Sequence, residues 1–108
     1  FIHQLPDLLF VFIKDMNAKR VLIAGICAAP SVVMAPIGIL DNKTATCYPG
    51  DQIDFAKNTK YKDKAVVADG NIITSQGPAT VMEFAFAIVE KLIGKDAVKK
   101  LKKHTLAD

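Results

Sequence analysis

The scarcity of cysteine, histidine and arginine limits the chemistry open to this chain of 108 residues. It has two cysteines, two histidines and no tryptophan, and Arg20 is its one arginine. Two cysteines and two separated histidines do not have the spacing of a zinc site, so we predict no bound metal. One arginine provides poorly for bidentate recognition of bases or phosphates, so nucleic acid is not an expected partner.

Long apolar runs and a basic leader are also lacking. No uninterrupted apolar run is long enough to span a bilayer, and the opening FIHQLPD has no basic segment typical of a signal peptide. We therefore expect no membrane segment and a cytoplasmic protein with reduced thiols. Apolar residues make up 51% of the chain and charged residues 23%, which describes one globular domain.

The stretch Val21–Leu40 organises the rest of the chain. Its pattern predicts a buried strand over Val21–Ile26, a turn at Cys27, and a helix over Pro30–Ile37, a unit typical of parallel α/β sheets. Small residues around the turn allow the backbone to bend tightly. The turn falls at the carboxyl end of a strand, where open α/β sheets bind their ligands, and at a helix start, which favours a thiolate.

Cys27 is therefore a candidate nucleophile, with the N–H of Ala28 as a donor to an oxyanion. The alternative is that Cys27 is a small buried side chain, as many free cysteines are.

Further elements follow from periodicity and turn residues. Asp-Gly between two apolar runs predicts a hairpin, and the longest helix is apolar on nearly all sides, so it must be covered on two sides. The lysine-rich last helix, which we expect Asp96 to cap, is interpreted as a solvated amphipathic helix. The predicted elements are helix Asp7–Lys19, strand Lys43–Cys47, short helix Asp51–Lys57, a polar loop over Asn58–Lys64, strands Ala65–Ala68 and Ile72–Ser75, helix Ala79–Ile93, and the last helix to Thr105.

Three motifs in one collinear order resemble the ThiJ/PfpI family, in the branch of the Parkinsonism-associated deglycase: AGICAAP, ATCYPG, and DGNIITSQGPAT followed by EFAFAIVEKLIGK. The resemblance implies a flavodoxin-like three-layer α/β/α sandwich with a mostly parallel sheet, usually found as a homodimer. It also implies that residues 1–108 are a single partial domain, without the first strands, a Gly-Gly turn and the acidic partner of the thiol.

The same resemblance suggests roles for individual residues. Cys27 is the elbow nucleophile. Tyr48 stands where some members have a histidine before the proline, and it lines the pocket or is a half-buried turn residue. Cys47 is a second redox thiol or a structural strand-end residue. The segment Gln76, Gly77 and Pro78 is expected at a dimer interface near the neighbouring pocket, and some members have arginine in place of Gln76.

The implied function is that of a cofactor-independent cysteine enzyme, a lyase or hydrolase. It would act as a glyoxalase or deglycase on small carbonyls such as methylglyoxal or on glycated proteins. The alternatives are a redox-sensing stress protein or chaperone and, more weakly, a cysteine peptidase, because Ala28 stands where those members have histidine. His3 and His104 are not expected to be catalytic. A homodimer and a separately encoded amino-terminal half are the expected partners.

Overall fold

The structure is a computed structural model that describes residues 5–105, with side chains from residue 7 onward. His3 therefore lies outside the described residues. The regular helices and strands are α1 Leu5–Ala18, β1 Ile23–Ile26, β2 Thr44–Ala45, β3 Lys60–Tyr61, β4 Val66–Asp69, β5 Ile72–Ser75, α2 Val81–Ile93 and α3 Lys95–His104. Short turns of 3-10 helix cover Asp51–Asp54 and Pro78–Thr80, and a π-helical turn covers Pro30–Met34.

The main sheet has three strands in the order β1-β5-β4. β1 runs parallel to β5, with Ile26 opposite Ser75, and β4 runs antiparallel to β5 through the predicted hairpin, in which Gly70 takes a positive φ of 61°. A second, parallel pair joins β2 to β3. Two of the three strand pairings in the described residues are thus parallel, and the predicted α/β class is confirmed.

Both faces of the central strand β5 are covered. Ile73 and Thr74 are neighbours on β5 and point to opposite faces, and both have no exposed surface. On the face of Thr74, the N–H of Thr46 donates to Thr74 Oγ1 at 2.9 Å, which places the segment after β2 above the sheet. α2 packs against β4 and β5, and α3 packs against α2.

The hydrophobic core lies between β1, β5 and the segment that follows the π-helical turn. Burial of these apolar side chains supplies the main favourable free energy of folding. The core consists of Met34, Ile39, Leu40, Ala45 and Ile72, with Ile13, Ile23, Ala35, Ile37 and Phe55 packed against it.

Four predicted elements are shorter than expected or different. The helix predicted over Pro30–Ile37 is only the π-helical turn, because Pro36 has no N–H to continue it. The strand predicted over Lys43–Cys47 pairs only at Thr44–Ala45, and the helix predicted over Asp51–Lys57 is a single 3-10 turn.

The fourth difference is β3, which lies inside the predicted polar loop. It pairs through backbone groups, with Lys60 N–H donating to Lys43 O at 2.9 Å and Lys62 N–H donating to Ala45 O at 3.0 Å. The prediction that Asp96 caps α3 is also wrong. Gly94 precedes the helix, and Asp96 lies within its first turn. There a carboxylate still interacts favourably with the helix dipole.

The long helix α2 has only part of the cover that its composition requires. None of its residues is buried, and Val81 and Ile93 are 50% and 71% exposed. On one side Lys102 Nζ lies 5.4 Å from the centre of the Phe86 ring, a cation–π contact between α3 and α2. An apolar surface of this kind is typical of an interface with a further chain.

Candidate active site

Cys27 lies directly after β1 and takes a left-handed backbone conformation, with φ of 63°. L-amino acids other than glycine rarely adopt this conformation, and they persist in it where the surrounding structure holds them. Two hydrogen bonds hold Cys27: its N–H donates to Ser75 O at 3.0 Å, and its carbonyl accepts from Tyr48 N–H at 2.8 Å. The cysteine is therefore fixed from two segments that are distant in sequence.

The turn after Cys27 leaves the N–H groups of Ala28 and Ala29 without a backbone hydrogen bond within the described residues. Ala28 O accepts from the N–H and Oγ of Ser31 and from the N–H of Val32, which starts the helical turn. The N–H of Ala28 itself forms no backbone hydrogen bond within the described residues. An amide without a backbone partner beside a nucleophilic residue is what an oxyanion-hole donor requires.

The structure differs from the expectation in the length of this helix. A single π-helical turn over Pro30–Met34 carries a smaller dipole than the predicted longer helix. The contribution of the helix to stabilising a thiolate at Cys27 is therefore smaller than the sequence suggested. The side chain of Cys27 is partly exposed, so the sulfur is not sealed within the core.

Tyr48 and Gly77 lie beside each other near this cysteine. Tyr48 is 50% exposed, and a Cβ placed on Gly77 would lie 3.7 Å from Tyr48 Cδ1. The hydrogen bond from Tyr48 N–H to Cys27 O holds the backbone of Tyr48 beside the elbow. The sequence-predicted residues Cys27, Tyr48 and Gly77 thus lie in one region of the molecule.

Gln76 and Pro78 are positioned differently. Gln76 Nε2 donates to Asp63 Oδ1 at 2.7 Å, and its backbone N–H donates to Ala65 O at 3.2 Å, so the side chain is directed toward the loop before β4. Pro78 is exposed at the start of its 3-10 turn. An exposed proline at this point is free to contact another chain.

Cys47 has a different environment from Cys27. It has no exposed surface, and burial, followed by the nearby carboxylates Asp51 and Asp54, raises the pKa of its thiol to about 11. Cys47 is therefore a protonated thiol at neutral pH, whereas thiolates are the attacking species in disulfide exchange. This environment suits the structural alternative better than a resolving thiol.

Two residues that the sequence analysis did not single out support the site. Ser75 Oγ donates to Ala65 O at 2.7 Å and shares a hydrogen bond of 2.6 Å with Thr80 Oγ1. Thr80 Oγ1 also accepts from Gly77 N–H at 3.1 Å. These bonds fix the end of β5, whose carbonyl holds Cys27. The signal in the sequence was the spacing of serine and threonine around Gly-Pro, which is typical of a cap.

Other candidates for chemistry lie elsewhere. His104 is exposed in the last turn of α3. Over residues 5–105 no group of three or more His, Cys, Asp or Glu side chains is arranged to hold a metal ion. None of the helices in that same range is both long and apolar enough to cross a membrane.

The order of elements around Cys27 indicates the class of protein. A parallel strand, a cysteine in the left-handed conformation and a helical turn follow one another, the order of elements that a nucleophile elbow has. The strand itself is not buried as predicted, because only Gly25 of β1 is buried and Ala24 is exposed within the described residues. The chain belongs to the DJ-1/PfpI family, whose model matches residues 3–91. The resemblance drawn from the three motifs is confirmed.

Relatives from several organisms support this assignment. The chain is 48% identical over 95 residues to Protein dj-1beta of Drosophila melanogaster, covering 87% of this chain and 50% of the relative. It is 41% identical to the Parkinson disease protein 7 homolog of Danio rerio, covering 83% of this chain and 48% of that one. The chain spans about half the length of these relatives.

Solved structures show the same fold. The crystal structure of Drosophila DJ-1beta superposes with a TM-score of 0.85 at 42% identity, covering 93% of this chain and 54% of that one. Oxidized DJ-1 of Toxoplasma gondii also superposes with a TM-score of 0.85, at 34% identity over 91% of this chain and 53% of its own. The fold described above is thus that of part of a DJ-1 domain, consistent with the predicted flavodoxin-like class.

Proposed function

We propose that the whole protein is a cofactor-independent cysteine enzyme that acts on reactive carbonyls such as methylglyoxal, and on early glycation adducts of proteins, in the cytoplasm. The observation that carries the proposal is the turn at Cys27, which has φ of 63° next to the Ala28 amide, an N–H without a backbone partner within the described residues. In the proposed reaction the sulfur of Cys27 and the N–H of Ala28 would meet the same carbonyl group. Family membership supports the same chemistry.

The first step is addition. Cys27 Sγ, as the thiolate, forms a C–S bond to the aldehyde carbon, and the carbonyl π electrons move to oxygen. The Ala28 N–H donates to that oxyanion, and a proton then converts it to the hydroxyl of a hemithioacetal. Conversion of methylglyoxal to lactate adds one water with no net oxidation, so the reaction balances without a redox partner. We assign the proton-transferring carboxylate to the part of the domain outside this chain.

The test is turnover of methylglyoxal by the whole protein and by two matched variants. Cys27→Ala should reduce kcat/KM by about 100-fold or more, since the nucleophile is lost. Cys47→Ala removes the other, buried thiol and should leave kcat/KM within about 3-fold of the wild type. Retention of turnover by Cys27→Ala, or equal loss in both variants, would contradict the proposal.

A second candidate is a redox-sensing stress protein or chaperone, and two observations favour it. Cys27 is partly exposed while Cys47 is buried, so oxidation should be selective. A related solved structure is that of an oxidized DJ-1. Absence of methylglyoxal turnover in the wild type, together with rapid addition of oxygen at Cys27 on peroxide treatment by mass spectrometry, would favour this function over the enzyme.

We also propose a homodimer formed around the exposed apolar side of α2 and the neighbouring Gln76–Pro78 segment. Met82 and Val81 are 49% and 50% exposed at the start of α2, directly after the exposed Pro78. Burial of such side chains between two copies would remove apolar surface from water at about 25 cal/mol per Å². The cover that the composition of α2 requires would then come from its symmetry mate.

A further inference from the structure

A cleft of about 250 Å³ lies between the helices α2 and α3, and none of the residues placed around Cys27 belongs to it. Its lining is Glu83, Phe86, Ala87 and Glu90 of α2 and Val98 and Lys102 of α3. The residues of α2 in this list have the spacing of three and four positions that brings side chains to one face of a helix. The lining combines apolar groups with two carboxylates and one ammonium, so its net charge is −1.

The position of Lys102 shows that this cleft accepts a cation. Its Nζ lies 5.4 Å from the centre of the Phe86 ring, within the distance of about 6 Å at which the face of an aromatic ring attracts a positive charge. Lys102 and Phe86 are both partly buried, whereas Lys99, Lys100 and Lys103 of the same helix as Lys102 are exposed. One lysine of α3 is thus partly withdrawn from water onto the ring.

The other lining residues add to the attraction for an organic cation. Glu83 and Glu90 are exposed members of the lining, one on each side of Phe86 along α2, and their carboxylates favour a positive charge near the ring. Ala87 and Val98 supply apolar surface, which a hydrated metal ion does not use and the CH₂ groups of an alkyl chain do. The set of groups is therefore complementary to an ammonium ion that carries a short alkyl chain.

We propose that this cleft is a binding site for a small alkylammonium ion and that Lys102 is a tethered competitor, which such an ion displaces from the ring of Phe86. Displacement returns the Lys102 ammonium to water, and the long flexible side chain of lysine permits this movement. The volume is below the range of about 300–1,000 Å³ typical of pockets for drug-sized ligands, so the ligand has few atoms. The proposal is separate from the carbonyl chemistry, because the two sites share no residue.

The experiment titrates n-butylammonium chloride into the whole protein labelled with nitrogen-15 and follows the amide shifts of α2 and α3 by NMR. We expect saturable shifts around the cleft, with a dissociation constant of about 1 mM or weaker, since single exposed cation–π contacts are weak. Sodium chloride at equal concentration controls for ionic strength, and the neutral 1-butanol controls for apolar contact. A capped lysine tripeptide identifies the source of the cation: affinity equal to that of butylammonium indicates a protein lysine, and weaker affinity indicates a free amine.

Lys102→Met is the decisive variant, because it keeps an unbranched side chain but removes the competing ammonium. It should bind butylammonium about 5-fold more tightly than the wild type. Lys103→Met removes the same charge from an exposed neighbour and should change the dissociation constant by less than about 2-fold. Phe86→Leu keeps an apolar side chain without the ring and should weaken binding about 3-fold or more. Glu90→Gln changes an exposed residue and should weaken binding by about 2-fold without altering the fold.

Three results would overturn the proposal. Equal shifts with 1-butanol or with sodium chloride would show that the cleft does not select an organic cation. Equal effects of Lys102→Met and Lys103→Met would show that the charge of the whole helix, and not the ring of Phe86, decides binding. Absence of saturable shifts in both the wild type and Lys102→Met, with amide spectra that show both proteins folded, would show that the cleft binds no such ion.

Discussion

Because Cys27 has a left-handed backbone conformation, we expect glycine at this position to give a more stable protein than alanine, the reverse of the usual order. At φ of 63° a side chain with a Cβ costs about 1–2 kcal/mol, which glycine avoids. Glycine also gives the unfolded chain more freedom, which opposes this gain by about 0.5–1 kcal/mol. Cys27→Gly should therefore be about 0.5–1 kcal/mol more stable than Cys27→Ala, although alanine is normally the better residue. For a domain of this size the melting temperature should be about 2–6 °C higher.

The comparison is made by urea unfolding followed by circular dichroism, because both variants lack the sulfur and differ only by the Cβ. Ala29→Gly is the matched control: Ala29 lies two residues later with φ of −57° and ψ of −42°, where glycine should cost about 1 kcal/mol. Relative to alanine, glycine should thus raise the free energy of unfolding at position 27 and lower it at position 29. A Cys27→Gly protein less stable than Cys27→Ala would refute the claim that the elbow is strained.

Three further predictions concern buried groups and the two thiols. Thr74→Val should lower the free energy of unfolding by about 1–3 kcal/mol, because the buried N–H of Thr46 loses its acceptor, while Thr74→Ser, which keeps the hydroxyl, should lose less in the same urea titration. The pKa of Cys47 is raised in the folded state to about 11 from 9.0, so its contribution to stability is complete below pH 9 and is lost as the pH rises toward 11. Cys47→Ala should therefore lose less stability than the wild type between pH 9 and 11; parallel pH profiles would contradict this. With limiting iodoacetamide at neutral pH, mass spectrometry should find Cys27 modified before Cys47, and denaturant should abolish the difference.

The parts of the fold with strong local signals could be predicted from the sequence. The hairpin follows from Asp69-Gly70 between apolar runs, and α2 follows from its long apolar periodicity. β3 could not be predicted, since Lys60 and Tyr61 pair through backbone groups with Thr44 and Ala45, which lie 16 residues earlier. A two-residue pairing of this kind leaves no periodic pattern in its side chains.

The role of Gly25 also could not be read from local sequence. The sequence analysis assigned the small residues around Cys27 to a tight turn, but the structure shows a packing reason for this glycine. A Cβ at Gly25 would lie 2.5 Å from Met34 Sδ, so glycine lets a buried methionine rest against β1. Packing partners separated along the chain are fixed by tertiary structure, which no window of residues contains.

The candidate site shows the same division between local and distant information. Cys27 could be predicted as a candidate because the strand, the cysteine and the turn are contiguous in the sequence. The backbone of Cys27 is held in place by Tyr48 and Ser75, through backbone hydrogen bonds of 2.8 and 3.0 Å, and these residues are distant in sequence. Those bonds involve a backbone N–H and a backbone carbonyl, which every residue type except proline provides. The geometry of the elbow therefore depends on the register of β1 with β5 more than on the identity of any neighbouring side chain.

This dependence on register connects the site to β1 and to its parallel neighbour β5 in the described part of the chain. Cys27 follows directly after β1, so the carboxyl ends of β1 and of its parallel neighbour β5 lie side by side at the elbow. Parallel strands bring their carboxyl ends to one side of a sheet, which is where such folds place catalytic groups. Modification of Cys27 by iodoacetamide therefore tests this chain alone, whereas turnover of methylglyoxal tests the function proposed for the whole protein.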